Sequence, residues 1–314
     1  MSKIAITDYF SKPEEEAEVL GGLVGMEVAE DTEVLIVWHT HVNEEYISKL
    51  PNLRGVQRYG VGYDTLDVPL LQSRGIMACN NPDYGTDEVC DTTVAMIMNI
   101  ARGVYRYNHD AKKYFANWQE NVDTTIKRNS DTVVGFIGAG RIGANAVMKC
   151  NALKFKTVFY DKYKERGYEK MINSQRLESV EEVLKVADIV SVHVPLSGET
   201  KGLVNEDFIA KMKDGASLVN TARGGLFKNL DVLYNALKTG KLSNLAIDVL
   251  EKEPPEECPL INDWRNNEDW CIGRLIINPH SSYYSQAAYR ELRVNAAKNA
   301  LRMYKGEEPF NKLY

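Results

Sequence analysis

The chain has 314 residues, of which 44% are hydrophobic and 26% charged, enough for two domains with sizeable cores. A net charge of -6 argues against a general nucleic-acid surface, which would need clustered Lys and Arg to neutralise phosphates; the short basic run Lys162, Lys164 and Arg166 reads as a solvated loop. The five cysteines are odd in number and show neither Cys-x-x-Cys nor Cys/His zinc spacing, so they read as reduced thiols.

In chain order, Met1-Ser-Lys-Ile-Ala-Ile-Thr7 enters a strand directly, without a charged-then-apolar leader, and no apolar run approaches a membrane span; a cytoplasmic protein is expected. Strands are expected at 3–7, 34–38, 55–59 and 76–79, with helices near 13–20, 44–50 and 66–73, an alternation that reads as a small α/β unit. Between Gly21 and Val34 this unit reads as short of a strand-helix segment. Residues 86–102 read as a buried helix connecting to a second unit, with Val89, Thr93, Val94, Met96, Ile97, Ile100 and Ala101 on one broad face.

The next segment is the most informative. Val133-Val-Gly-Phe-Ile-Gly138-Ala-Gly140-Arg-Ile-Gly143 is an apolar strand running into three glycines, followed by a helix pattern and a strand at 157–160 that ends in Asp161. In such a turn Gly138 allows the bend, Gly140 lets the backbone approach a pyrophosphate, and Gly143 lets the helix pack close to the strand. The acidic residue accepts from the ribose hydroxyls and repels a 2'-phosphate, so the expected cofactor is NAD. Glycine triplets alone are weak signals; the strand-turn-helix-strand-acid context carries this one.

Further strands are expected at 189–193, 217–220, 245–249 and 275–278, making six with 133–137 and 157–160. Ser179-x-x-Glu182 opens a helix as a capping box, Asn205 caps another, and Gly240 follows a helix end. Ser285 caps a long helix through about Met303 that is expected to return to the first unit. The fold expected is a Rossmann doubly wound parallel sheet at 99–286, inserted in a smaller flavodoxin-like α/β domain made of 1–98 and 287–314. Such an insertion implies a cleft with strand ends facing it.

Arg223, Glu253 and His280 each fall at or just after a strand C-terminus. Together they suit hydride exchange between nicotinamide and a 2-oxo or 2-hydroxy acid: Arg223 holds the carboxylate and polarises the carbonyl, His280 handles the hydroxyl proton, and Glu253 orients the ring and favours its charged form. Taken singly, each is more ordinarily a strand-end or surface ion-pair residue. His39 and His41 could suggest a metal pair, but no third ligand clusters with them, and no metal is expected.

These features, with Val219-Asn-Thr-Ala-Arg-Gly-Gly225, Asp248, Pro279-His280, His193-Val-Pro-Leu196, Glu199-Thr-Lys-Gly202 and Gly60-Val-Gly-Tyr-Asp64, resemble the NAD-dependent D-isomer-specific 2-hydroxyacid dehydrogenase family over nearly the whole chain. The resemblance implies the catalytic roles for Arg223, Glu253 and His280, and a hydrogen bond from Asp248 to the nicotinamide carboxamide. It implies further cofactor contacts at Arg141, Ile142, Val194, Pro195, Thr200, Thr221, Ala222 and Val89. Val61 and Gly62 would offer backbone N–H groups to the substrate carboxylate, a role for which a glycine-flanked turn is suited. Trp38-His39-Thr40, Arg58, Glu88-Val-Cys-Asp91-Thr-Thr93 and His280-Ser-Ser-Tyr-Tyr-Ser285 are similar to the C-terminal-binding protein branch, which would put His39 and Arg58 in the substrate pocket. Tyr283 would either wall that pocket for an apolar substrate side chain or pack at the helix start. The resemblance implies a homodimer through the cofactor domain. The function expected is interconversion of a 2-oxo acid and a D-2-hydroxy acid; the alternative is an NADH-sensing interaction protein with little turnover.

Overall fold

The computed structural model describes residues 2–8, 12–114 and 116–314. The chain divides into two compact units, one made of 1–86 with 283–314 and the other of 87–282.

In the first unit, short runs of β-branched and apolar residues form five parallel strands: β1 (Ile4–Ile6), β2 (Val24–Gly25), β3 (Val34–Val37), β4 (Gly55–Arg58) and β5 (Met77–Cys79). Their order, β2-β1-β3-β4-β5, is the flavodoxin-like order. Successive residues serve opposite faces. Ile4, Ile6, Val34 and Ile36 enter one core, while Ala5, Leu35, Val37 and Val56 enter the other, as expected of a parallel sheet covered on both sides. The helix Gln286–Lys305 covers the first of these faces with Leu292, Ala296, Ala297, Ala300 and Met303. It starts where Ser285 accepts the Ala288 amide (3.0 Å) and stops at left-handed Gly306.

Two expectations for this unit are corrected. The stretch between Gly21 and Val34 does hold a strand: β2 pairs with β1 after a 3₁₀ turn at Gly21–Leu23. With two residues, one of them glycine, it carries no periodic signal. The helix expected at 44–50 is a single turn, Glu44–Ile47, because Leu50 precedes Pro51 and is steered away from the helical region.

The second unit has seven parallel strands: β6 (Val133–Ile137), β7 (Lys156–Tyr160), β8 (Gln175–Arg176), β9 (Ile189–Val192), β10 (Ala216–Asn220), β11 (Leu242–Ile247) and β12 (Leu275–Ile277). The order β12-β11-β10-β9-β6-β7-β8 is the doubly wound arrangement, with the chain reversing direction across the sheet at β6. All six expected strands are present. The seventh, β8, is a polar two-residue edge strand paired to Val158 and Phe159, which no apolar pattern announces. One face of this sheet packs Val134, Phe136, Phe159 and Val219 under the helix Thr86–Arg102, through Cys90, Met96 and Ile97, and under the helix Arg141–Ala152, through Val147 and Cys150. The other face carries Ile137, Val190, Val192, Leu218 and Leu245. Ser179 and Asn205 cap helices by accepting the amides of Glu182 and Phe208, and Gly240 is left-handed at φ 77°, all as expected. Among the described residues no helix is long and apolar enough to cross a membrane.

Candidate active site

The parallel sheet of the second unit delivers the expected residues at its strand C-termini. After β6, Gly138 takes a φ of 92°, and a Cβ there would lie 2.6 Å from the His193 carbonyl and 3.0 Å from a methyl of Val194. A Cβ on Gly143 would collide with the Gly138 carbonyl, whereas one on Gly140 would stand in open space. Gly138 and Gly143 are therefore required by the fold, and Gly140 keeps a surface clear. Gly140 is also the N-cap of the helix Arg141–Ala152, which starts without a side-chain capping hydrogen bond. A bare, open helix N-terminus of this kind fits a pyrophosphate.

The turn is held from two sides. Asp161, just past β7, accepts the Ala139 amide on one carboxylate oxygen and the Tyr163 amide on the other (2.8 and 2.9 Å). Tyr168 donates its hydroxyl to the Ala139 carbonyl at 2.9 Å. Each oxygen of Asp161 retains a further lone pair for a ribose hydroxyl. The His193 ring stacks on Phe136 (5.9 Å) and meets Ser191 Oγ through Nε2 at 2.8 Å. Burial pushes this imidazole down to about 4, so it is neutral around pH 7. Past Val194 and Pro195, Thr200 closes the turn by accepting the Ser197 amide (2.9 Å). Thr221 shares a buried hydroxyl contact with Thr93 (2.8 Å), and Thr93 in turn donates to the Val89 carbonyl (2.8 Å).

Beyond β10, β11 and β12 stand Arg223, Glu253 and His280. His280 Nδ1 lies 2.7 Å from Glu253 Oε2, and Glu253 Oε1 accepts the Leu250 amide at 2.8 Å. Burial raises the Glu253 carboxyl, but the hydrogen bond and charge of His280, the Leu250 amide and the charge of Arg223 outweigh it, leaving the group below its ordinary range. Glycine at 224 is again a packing requirement: a Cβ would overlap the Leu250 and Glu251 backbone, so the turn carrying Arg223 sits flush on the one carrying Glu253. His280 is left-handed at φ 53°, a conformation costing a non-glycine residue on the order of 1 kcal/mol. Asp248 enforces it. This buried residue accepts the His280 amide on its carbonyl (2.8 Å) and the amides of Ser281 and Ser282 on its two carboxylate oxygens (2.9 and 3.0 Å).

The remaining expected residues belong to the first unit, again at strand C-termini. Past β3, Trp38 is 6.0 Å edge-on from Tyr283, which also meets Tyr84 at 6.2 Å; Tyr283 thus packs in a ring cluster at the start of the long helix. His39 is exposed, its amide donating to the Asp8 carboxylate. Arg58 ends β4, and a Cβ on Gly60 would lie 3.3 Å from its Nη1, so the guanidinium lies over the loop that holds Val61 and Gly62.

Three residues absent from the sequence reading of the site organise it. Asn220, fully buried, accepts the Ala222 amide and donates to the Arg223 carbonyl, both at 2.9 Å, which shapes the turn that presents Arg223. Asp8, just past β1, accepts the amides of Trp38, His39 and Thr40. Asn80 donates to the Val61 carbonyl at 2.7 Å. Asn220 ends β10, and Asp8 and Asn80 follow β1 and β5; the strand-end criterion that singled out Arg223, applied to every strand, would have found them.

Residues 94–282 match the model of the D-isomer specific 2-hydroxyacid dehydrogenase NAD binding domain, in keeping with the glycine turn and Asp161. A D-3-phosphoglycerate dehydrogenase of Methanocaldococcus jannaschii is 31% identical over 296 residues, which cover 93% of this chain and 54% of that protein. A glyoxylate reductase of Thermofilum pendens is 31% identical over 271 residues, covering 85% of this chain and 77% of that protein. The chain thus spans about half the length of the phosphoglycerate dehydrogenase. Among solved structures, D-lactate dehydrogenase from Aquifex aeolicus, complexed with NAD and lactic acid, superposes with a TM-score of 0.80 at 29% identity, covering 97% of this chain and 96% of that one. The cofactor of the second unit is NAD, and the chain belongs to the D-isomer specific 2-hydroxyacid dehydrogenase family.

Proposed function

We propose that the protein interconverts a 2-oxo acid and a D-2-hydroxy acid, with Arg223, Glu253 and His280 as the catalytic trio. The observation that carries this reading is the 2.7 Å contact between His280 Nδ1 and Glu253 Oε2, beside Arg223. When bound, the cofactor would supply the hydride as NADH or accept it as NAD+. Glu253, held ionised, fixes the ring through Nδ1 and leaves Nε2 to work on the substrate. In the reducing direction Nε2–H gives its proton to the carbonyl oxygen as that oxygen gains charge, and the neutral ring keeps its Nδ1–H on Glu253; in the oxidising direction Nε2 takes the hydroxyl proton. Arg223 polarises the same carbonyl with its planar fork of donors. Val61 and Gly62, with Arg58, bind the substrate carboxylate; His39 and Tyr283 border the substrate. Gly138 to Gly143 and Asp161 hold the dinucleotide, with Val89, Val194, Pro195, Thr200, Thr221, Ala222 and Asp248 around it. The relatives and the solved structure support this reading through the 2-hydroxy and 2-oxo acids in their names.

His280→Ala should abolish reduction of glyoxylate, pyruvate, hydroxypyruvate, phenylpyruvate and 4-methylthio-2-oxobutyrate while NADH binding stays nearly intact; lost NADH binding with retained turnover would sink the assignment. A wild-type protein that reduces none of these acids yet associates on adding NADH favours the NADH-sensing interaction protein of the C-terminal-binding protein type. A homodimer through the NAD domain is part of the proposal, supported by the exposed Val104, Tyr105, Trp118 and Val122 of that unit. The reaction suits a reducing, cytoplasmic setting, in keeping with five unpaired cysteines.

A further inference from the structure

A trans peptide is planar, so its C=O and its N–H point in opposite directions. In the loop after β4, the Gly60 carbonyl accepts the Asn81 amide at 3.2 Å and the Val61 carbonyl accepts Asn80 Nδ2 at 2.7 Å. Two consecutive carbonyls are thereby turned toward the segment that follows β5. The N–H groups of Val61 and Gly62 belong to these same two peptide planes. Both are therefore turned away from that segment, toward one side, and among the described residues neither is paired with an acceptor. The Arg58 guanidinium adds a positive charge next to Gly60. Asn80 is only 9% exposed and Asn81 3%, so the clamp is packed on all sides.

We propose that Asn80 is a positioning residue: its side-chain amide, together with the Asn81 backbone, aims the N–H groups of Val61 and Gly62 at the substrate carboxylate. The proposal rests on the carboxylate role given to this loop above. It explains the residue type. Aspartate in the same shape would have no proton to give and would repel the Val61 carbonyl. A longer amide could not place its nitrogen at the same point without displacing buried neighbours. Freed of the clamp, the 61–62 peptide can rotate, and one of two aligned donors is lost.

The test uses the NADH-loaded protein and oxamate, a carboxylate that mimics a 2-oxo acid without being reduced. Asn80→Ala and the isosteric Asn80→Asp should weaken oxamate binding, read by calorimetry, by about tenfold or more, the loss expected for one misaligned charge-assisted hydrogen bond. KM for the best 2-oxo acid should rise in parallel, with kcat changed far less, and the NADH dissociation constant should stay within about twofold. A merely structural role would not separate KM from kcat in this way. Folded variants that bind oxamate as wild type does overturn the proposal, as does a wild-type protein that binds no oxamate. If the wild type binds oxamate but reduces no 2-oxo acid, the dehydrogenase reading fails while the oxamate constants of the variants still decide the role of Asn80.

Discussion

A single histidine ties the dinucleotide turn to the stability of its unit. His193 has its folded pKa pushed down to about 4 by burial, against an ordinary 6.5. Between those two values the unfolded chain binds a proton that the folded chain does not. Stability therefore falls as the pH drops from about 6.5 towards 4 and is unaffected by this group above that window. His193→Gln removes the titration. Urea unfolding at pH 7 and pH 5 should show a pH loss smaller by about 1–2 kcal/mol in the variant than in wild type, and equal losses would refute the assignment. At this scale the sequence was most legible in placement: Arg223, Glu253 and His280 stand where expected, past the C-termini of β10, β11 and β12. It was least legible where a residue works through a distant backbone. Asp248 holds Ser281 and Ser282 from over thirty positions away, and Asp8 holds Trp38, His39 and Thr40 from a similar distance. No local pattern encodes such partners, since they become neighbours only when parallel strands align.

The glycine turn after β6 separates two kinds of glycine within one element. Gly143→Val drives a side chain into the Gly138 carbonyl and should destabilise the second unit by about 1–3 kcal/mol while weakening NADH. Gly140→Ala meets open space, so it should leave the unfolding midpoint near wild type and still weaken NADH, because the added methyl stands where the pyrophosphate approaches. Fluorescence titration with NADH beside thermal melts checks both; unchanged NADH affinity in Gly140→Ala would reduce the turn to a packing motif. Strands buried on both faces, such as β3 and β6, were legible because parallel sheets demand unbroken apolar runs. The edge strands β2 and β8 were not. Each has one neighbour and two residues, and is recruited by the strand beside it rather than by its own composition.

For the whole molecule, the proposed homodimer makes a prediction of its own. Val104, Tyr105, Trp118 and Val122 are 61, 40, 63 and 65% exposed within about twenty positions of one unit. Large apolar side chains so exposed are costly unless covered, and a second copy would cover them. Trp118→Ser with Val122→Ser should convert the dimer to a monomer in sedimentation velocity without lowering NADH affinity. A monomeric wild type would reject this interface.

Two things were determined by the sequence by itself: the doubly wound cofactor fold and the NAD cofactor. Each depends on features encoded within a few neighbouring residues, namely glycine spacing, strand period, caps, and a polar residue ending an apolar run. Only the tertiary structure decided how those groups are held. It placed the Glu253 carboxylate on the His280 ring, set His280 left-handed over Asp248, shaped the Arg223 turn on Asn220, and turned the carbonyls of Gly60 and Val61 toward Asn80 and Asn81. The reason is physical. Hydrogen bonds are short and directional, so the partners of a buried polar group are fixed by the closing of the sheet, and sequence distance says little about which two ends will meet.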